Sequence, residues 1–158
     1  MTTFKDQNWE ERVEVLGDPS ENKFREYASR RGLGVVKYGL DRPPVNLGRT
    51  TDFVRYTPDF LTDEGLVEVQ GCGRDQLFKF KWAKLTALAQ WQRHMHVNVW
   101  LWNEPLDDWR MLPITRVIEM CRERPYVGKH MVYRADGVFD PDVNGGKPYA
   151  SVPWIDLI

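Results

Sequence analysis

The chain has little of what would have fixed its class at sight. Only two cysteines, Cys72 and Cys121, occur in 158 residues, and neither stands at metal-type spacing from a second cysteine or a histidine. A disulfide framework or a structural zinc site is therefore not expected. Apolar runs long enough to cross a bilayer are missing, and the opening Met-Thr-Thr-Phe-Lys-Asp lacks the apolar stretch of a signal peptide. The expectation is a cytosolic protein that does not enter the membrane. Repeats and low-complexity tracts are also absent. The net charge of −1 points to no class of partner by itself.

Aromatic residues, by contrast, are plentiful. Seven Trp, seven Phe and six Tyr within a 42% hydrophobic fraction describe a packed domain, and the length suits a single one spanning 1–158. Charge is unevenly distributed as well. Residues 23–55 hold eight Lys or Arg against three Asp or Glu, and residues 70–95 hold five against one. Between them, residues 56–69 carry four acids and no base. An acidic segment framed by basic ones suits metal-assisted chemistry on a polyanion, with carboxylates for the ion and cations for the phosphates. Singly, such charges are ordinary solvated faces.

Local patterns give an order of elements. Residues 1–17 read as an acidic short helix or arm. Asp18-Pro19-Ser20-Glu21 is a helix start, with Asp at the N-cap, Pro at the first helical position and Glu three residues after the cap. That helix should run to about Arg31 and stop at Gly32. Val35–Tyr38 reads as a strand, 42–48 as a loop, and 53–56 and 66–70 as further strands. The spacing of Phe78, Trp82, Leu85 and Ala89 predicts a long helix from about Gln76 to His94. Val97–Trp102 is a strand onto which 109–112 can hairpin back, 113–122 a last helix, and 123–158 an extended, loop-rich extension packing on the core or on a partner subunit.

The most informative stretch joins Thr57-Pro58-Asp59-Phe60-Leu61 to Leu66-Val67-Glu68-Val69-Gln70-Gly71 through an Asp-Glu-Gly turn at 63–65. Alternation puts Glu68 and Gln70 on one face of the second strand and Val67 and Val69 on the other. The turn can fold Asp59 back beside Glu68. Two carboxylates converging on a sheet suit a hard cation such as Mg²⁺. Taken apart, Pro-Asp is an ordinary turn pair and a strand Glu usually faces solvent. Trp100 and Trp102 share a strand face that fits core packing better than base stacking. His94 and His96 have no third ligand nearby in sequence.

Pro58-Asp59 and Glu68-Val69-Gln70 on successive strands, in a helix-strand-strand-strand-helix-strand order over residues 19–102, resemble the PD-(D/E)XK nuclease superfamily. This family includes restriction enzymes, Holliday-junction resolvases and recombination exonucleases, and the resemblance covers about half the chain. It implies an α/β, restriction-endonuclease-like fold: a mixed central β-sheet flanked by helices, an αβββαβ core within residues 18–122. It also implies a Mg²⁺-dependent DNA nuclease, endonuclease or exonuclease, with Mn²⁺ able to substitute. The setting would be phage or bacterial DNA recombination or repair, in a bacterial cell or phage-infected host, with DNA as partner and a possible homodimer.

By the same resemblance Asp59 and Glu68 bind the metal, the Val69 carbonyl adds a ligand, and Glu21 on the first helix completes the set. Glu21 is equally the capping-box residue. The family's lysine position is Gln70, an amide that can orient water but supplies no positive charge. Lys81 first, or Lys84 second, one turn apart on the expected helix, would then provide it. Arg30, Arg31, Lys37, Arg42 and Arg49 are candidate phosphate contacts. The alternative that Gln70 motivates is a nuclease-fold protein that binds nucleic acid or a partner without cutting. An acid/base hydrolase using Asp59 and Glu68 directly leaves the basic stretches without a role.

Overall fold

Two strands with apolar side chains on both faces form the centre of the fold, β3 (Gly65–Cys72) and β5 (Val97–Asn103), paired in parallel from Leu66↔Val97 to Cys72↔Asn103. Burial on both faces is the usual condition of parallel strands. The computed structural model describes residues 18–39, 50–123, 126–127, 132–133, 139–140 and 149–157. Outward from the central pair, β2 (Phe60–Thr62) runs antiparallel to β3, and β1 (Val35–Lys37) antiparallel to β2. On the other side β6 (Asp108–Pro113) returns antiparallel along β5, as the sequence predicts. The order β1-β2-β3-β5-β6 makes a mixed sheet, and with helices on its faces the protein is α/β.

Each face has its own core. Helix α1 (Asp18–Arg30) lays Phe24 and Ala28 on Phe60, Val67, Val69, Trp100 and Trp102, so the two tryptophans serve burial. It ends as expected at Gly32, whose φ of +65° suits glycine, with Leu33 N–H donating to the Ala28 carbonyl and Gly32 N–H to that of Ser29. On the opposite face α3 (Trp82–Gln92) and α4 (Ile114–Arg122) bury Leu85, Leu88, Val117 and Cys121 against Leu66, Val97, Val99 and Leu101. Full burial of a side chain such as Leu85 contributes roughly 1.5–3 kcal/mol. Cys72 and Cys121 are both buried and form no disulfide.

Three expectations are corrected. Residues 53–56 are not a strand: Asp52–Arg55 form a single helical turn, α2, because Phe53 stacks on Trp91 at 4.2 Å and its carbonyl accepts the Trp91 indole N–H at 2.8 Å. The long helix begins at Trp82 rather than Gln76, since Leu77–Lys81 are strand β4, with Phe78 and Phe80 buried and Lys79 and Lys81 exposed. That period of two wins because β10 (Tyr149–Pro153) pairs antiparallel with β4, from Tyr149↔Lys81 to Pro153↔Leu77. The C-terminal extension is accordingly more than a loop. With β7 (Tyr126–Val127), β10 and β4 make a second, three-stranded sheet, and Ala150, Val152 and Leu157 join the core. Strands β8 (Val132–Tyr133) and β9 (Phe139–Asp140) pair as a separate antiparallel ladder. Among the described residues no helix is long and apolar enough to cross a membrane.

Candidate functional site

The site grows out of strand register. Strands β2 and β3 pair Phe60 with Val67, Leu61 with Leu66 and Thr62 with Gly65, so one further step sets Asp59 opposite Glu68. Because β2 stops at Phe60, the Asp59 carboxylate continues the ladder, and its Oδ2 accepts the Val69 N–H at 2.8 Å. Its main-chain carbonyl accepts N–H bonds from Tyr38 at 2.8 Å and Gly39 at 3.1 Å. Gly39 passes so close to this corner that a Cβ there would lie 2.9 Å from the Pro58 carbonyl oxygen and 3.1 Å from the Asp59 Cα. Backbone on both sides thus fixes Asp59.

Glu68 is 3% exposed, on the sheet face covered by α3, while Val67 and Val69 face α1. From α3 the Lys84 ammonium closes on Glu68 Oε1. Burial, reinforced by the nearby Asp59 charge, pushes the Glu68 carboxyl up to about 8, against the opposite pull of Lys84 and Lys37. Burial also opposes charge on Lys84, but Glu68 and Asp59 outweigh it and hold the ammonium above the ordinary lysine value. Two facing carboxylates repel each other, and the protein answers with cations.

A second lysine completes a chain of alternating charge. Lys37, at the end of β1, donates to Glu21 Oε1 at 2.9 Å and lies 3.8 Å from Asp59 Oδ1. Glu21, Lys37, Asp59, Glu68 and Lys84 therefore form one continuous group drawn from α1, strands β1 and β3, the residue before β2, and α3. Glu21 faces the sheet as its helix stripe predicts, whereas Glu26 is exposed and pairs with Arg30 and Lys23. Gln70 lies two residues beyond Glu68, its Nε2 donating to the Lys79 carbonyl at 2.9 Å. That bond orients the amide and leaves Oε1 as its remaining acceptor.

Other expected residues fall elsewhere. Lys81 is the last residue of β4 and the N-cap of α3, exposed, so it does not share a helix face with Lys84. Only Lys84 of that pair is placed on Glu68. Arg30 is paired with Glu26, and Arg31 with Glu64 and the Tyr27 hydroxyl, on the outer side of α1. Arg42 and Arg49 lie outside the described residues. Lys37, expected as a phosphate contact, sits among the carboxylates instead. The β1–β2 register pairs it with Phe60, beside Asp59, and reading that in advance required knowing how β1 pairs. The Cys72 thiol, raised to about 11 by burial and by Asp75, is no nucleophile near neutral pH.

Hard oxygen donors fit Mg²⁺ in kind. Among the described residues no group of three or more His, Cys, Asp or Glu is gathered closely enough to hold a metal by itself. Mg²⁺ commonly takes one or two carboxylates and completes its shell with water and substrate phosphate, which Asp59 and Glu68 can provide for. No protein-family model matches the chain, and neither the curated proteins nor the solved structures contain a match to it.

Proposed function

We propose that this protein is a divalent-metal-dependent nuclease that hydrolyses phosphodiester bonds in DNA, with Asp59 and Glu68 as the metal-holding carboxylates and Lys84 as the cation missing from position 70. The observation that carries the reading is the Lys84–Glu68 pair, set directly across from Asp59. A bare pair of facing carboxylates, one of them buried, costs stability, and such an arrangement is retained where its charge has a use.

Asp59 and Glu68 would hold Mg²⁺ or Mn²⁺, and on the family resemblance Glu21 and the Val69 carbonyl would complete the set. The ion supplies Lewis acidity and a lowered pKa for bound water. The chain's own groups do the rest. Glu68 must lose its proton to act as a ligand, and Lys84 favours that loss. With Glu68 holding the ion, the Lys84 ammonium beside it would be the cation available to negative charge developing on the phosphate. Gln70 Oε1 can accept a hydrogen bond from the attacking water. Lys37 keeps Glu21 and Asp59 from repelling each other before the metal arrives. Ends, flaps and junctions of DNA in recombination or repair come first among substrates on the family resemblance, and a homodimer rests on the same ground.

Cleavage of labelled linear duplex, single-stranded, flap and four-way-junction DNA tests this, with Mg²⁺, Mn²⁺ or EDTA and with Glu68→Ala beside the wild type. Metal-dependent cutting that the variant lacks supports the reading. A folded wild type that cuts none of these substrates with either metal sinks it. The second reading, a nuclease-fold protein that binds without cutting, draws on the neutralisation of both carboxylates by lysines. It predicts metal affinity no different between wild type and Asp59→Ala.

A further inference from the structure

Beyond Gln70 the chain turns through Gly71-Cys72-Gly73-Arg74-Asp75-Gln76 into β4, and an open cleft of about 460 Å³ lies between the end of β3, this turn and Lys79. From this cleft we infer a second phosphate-binding subsite, in which Arg74 and Lys79 hold a backbone phosphate of the nucleic-acid strand flanking the one being cut. The inference rests on the nuclease reading and names where that substrate's flanking phosphate goes.

Three observations converge on it. The turn is firmly braced, although it is on the surface. Gln76, at φ +52°, accepts the Trp154 N–H on its carbonyl at 2.9 Å and the side-chain N–H of fully buried Asn103 on Oε1 at 3.1 Å. Its own N–H reaches the Gly73 carbonyl at 3.0 Å, and Asp75 Oδ1 accepts the Leu77 N–H at 3.2 Å. A loop held in this way presents its side chains with little ordering cost on binding.

Arg74, secondly, stands exposed on that turn with no hydrogen bond or ion pair to any described residue. Most other arginines described here are paired: Arg30 with Glu26, Arg31 with Glu64, Arg55 with Asp52, Arg110 with Asp108 and Arg116 with Glu119. A guanidinium fork on a rigid turn suits bidentate recognition of phosphate. Lys79 and Asp75 line the same cleft as an exposed ion pair at 3.5 Å, and the more than half-exposed ammonium adds a point charge beside the fork.

The cleft, finally, is continuous with the candidate site. Gln70 belongs to its wall, and Gln70 Nε2 is bonded to the carbonyl of Lys79 itself. Glu68 lies two residues back from Gln70 along β3, about 7 Å, and Arg74 stands on the turn that follows the end of the same strand. A strand whose scissile phosphate faces Asp59 and Glu68 and which runs on past Gln70 can thus place a flanking phosphate at Arg74. The local excess of cations over residues 70–95 acquires a specific job.

The test is DNA binding by fluorescence anisotropy in Ca²⁺, across a salt series, for wild type, Arg74→Gln, Lys79→Gln and Arg74→Lys, with Arg116→Gln as a surface-charge control. Single-turnover cleavage in Mg²⁺ is measured alongside. Arg74→Gln should weaken binding several-fold at low salt and lower the slope of log K against log salt by about 0.9 on duplex or about 0.7 on single strands, one phosphate contact. Arg74→Lys should recover the slope but only part of the affinity. If Arg74→Gln and Lys79→Gln keep the slope and affinity of Arg116→Gln while wild type cuts DNA, the subsite is wrong and the nuclease reading stands. A wild type that neither binds nor cuts DNA removes both.

Discussion

Lys84 on α3 and Glu68 on β3 form an ion pair inside the protein, directly across from Asp59 at the end of β2. The pair puts a cation at the point where the strand itself offers only Gln70. Its consequences can be measured.

Glu68→Gln should separate stability from activity. Burial and Asp59 raise the carboxyl to about 8, and glutamine is its close isostere, keeping one acceptor for the Lys84 ammonium. Unfolding free energy at pH 7 should fall by about 1.5–3 kcal/mol, the scale of one hydrogen bond to a charged group. Cleavage should fall to background. Lys84→Met should retain DNA affinity and lose about 10²- to 10³-fold in single-turnover rate, the usual loss on removing one preorganised charge stabiliser. Equal loss of binding and rate would place Lys84 in substrate affinity instead.

Stability should decline with rising pH through Glu68. Its folded value of about 8 exceeds its ordinary value of 4.5, so between these the folded state holds more protons than the unfolded one. The contribution is therefore fully present below about 4.5 and lost as pH climbs through about 8. Urea unfolding of wild type and Glu68→Gln at pH 6 and pH 9 isolates it: the wild type should lose more stability across that interval than the variant.

Metal affinity should run the opposite way. A ligand that must lose a proton binds more tightly as pH rises, and Mn²⁺ affinity by calorimetry should climb up to about pH 8 and then level off. Lys37→Met should tighten Mn²⁺ binding at every pH, since Lys37 competes with a cation for Glu21 and Asp59. Weaker metal binding in Lys37→Met would show that the lysine orders the carboxylates rather than competing for them.

Gly39→Ala should damage the site from behind. A Cβ at 2.9 Å from the Pro58 carbonyl oxygen forces the 57–59 corner to move, at a cost of about 1–3 kcal/mol. Thermal unfolding should show that loss, and Mn²⁺ affinity should drop with it. A variant as stable as wild type with unchanged metal binding would mean the corner gives way freely.

The residues of the site were legible because short-range rules determine them. Alternation along 66–70 separates Glu68 from Val67 and Val69, and the 63–65 turn returns Asp59 to its side. The first helix, its stop at Gly32 and the hairpin of β6 on β5 follow equally from caps, turns and period. Pairing over long distances in sequence was hidden. Phe78 and Phe80 satisfy both a helical and a strand period, and only β10, from the far end of the chain, decides between them.

The sequence by itself determined which carboxylates meet, because a tight turn leaves two adjacent strands a single register. Tertiary structure decided where the positive charge comes from. Along the chain Lys81 comes first as the candidate and Lys84 second, but β4 holds Lys81 out toward solvent while α3 packs Lys84 over Glu68. Lys37 reaches Asp59 only because β1 adds to the edge of β2. The physical reason is one of range: backbone periodicity acts over a few residues, whereas a buried charge is neutralised by whichever cation packing brings to it.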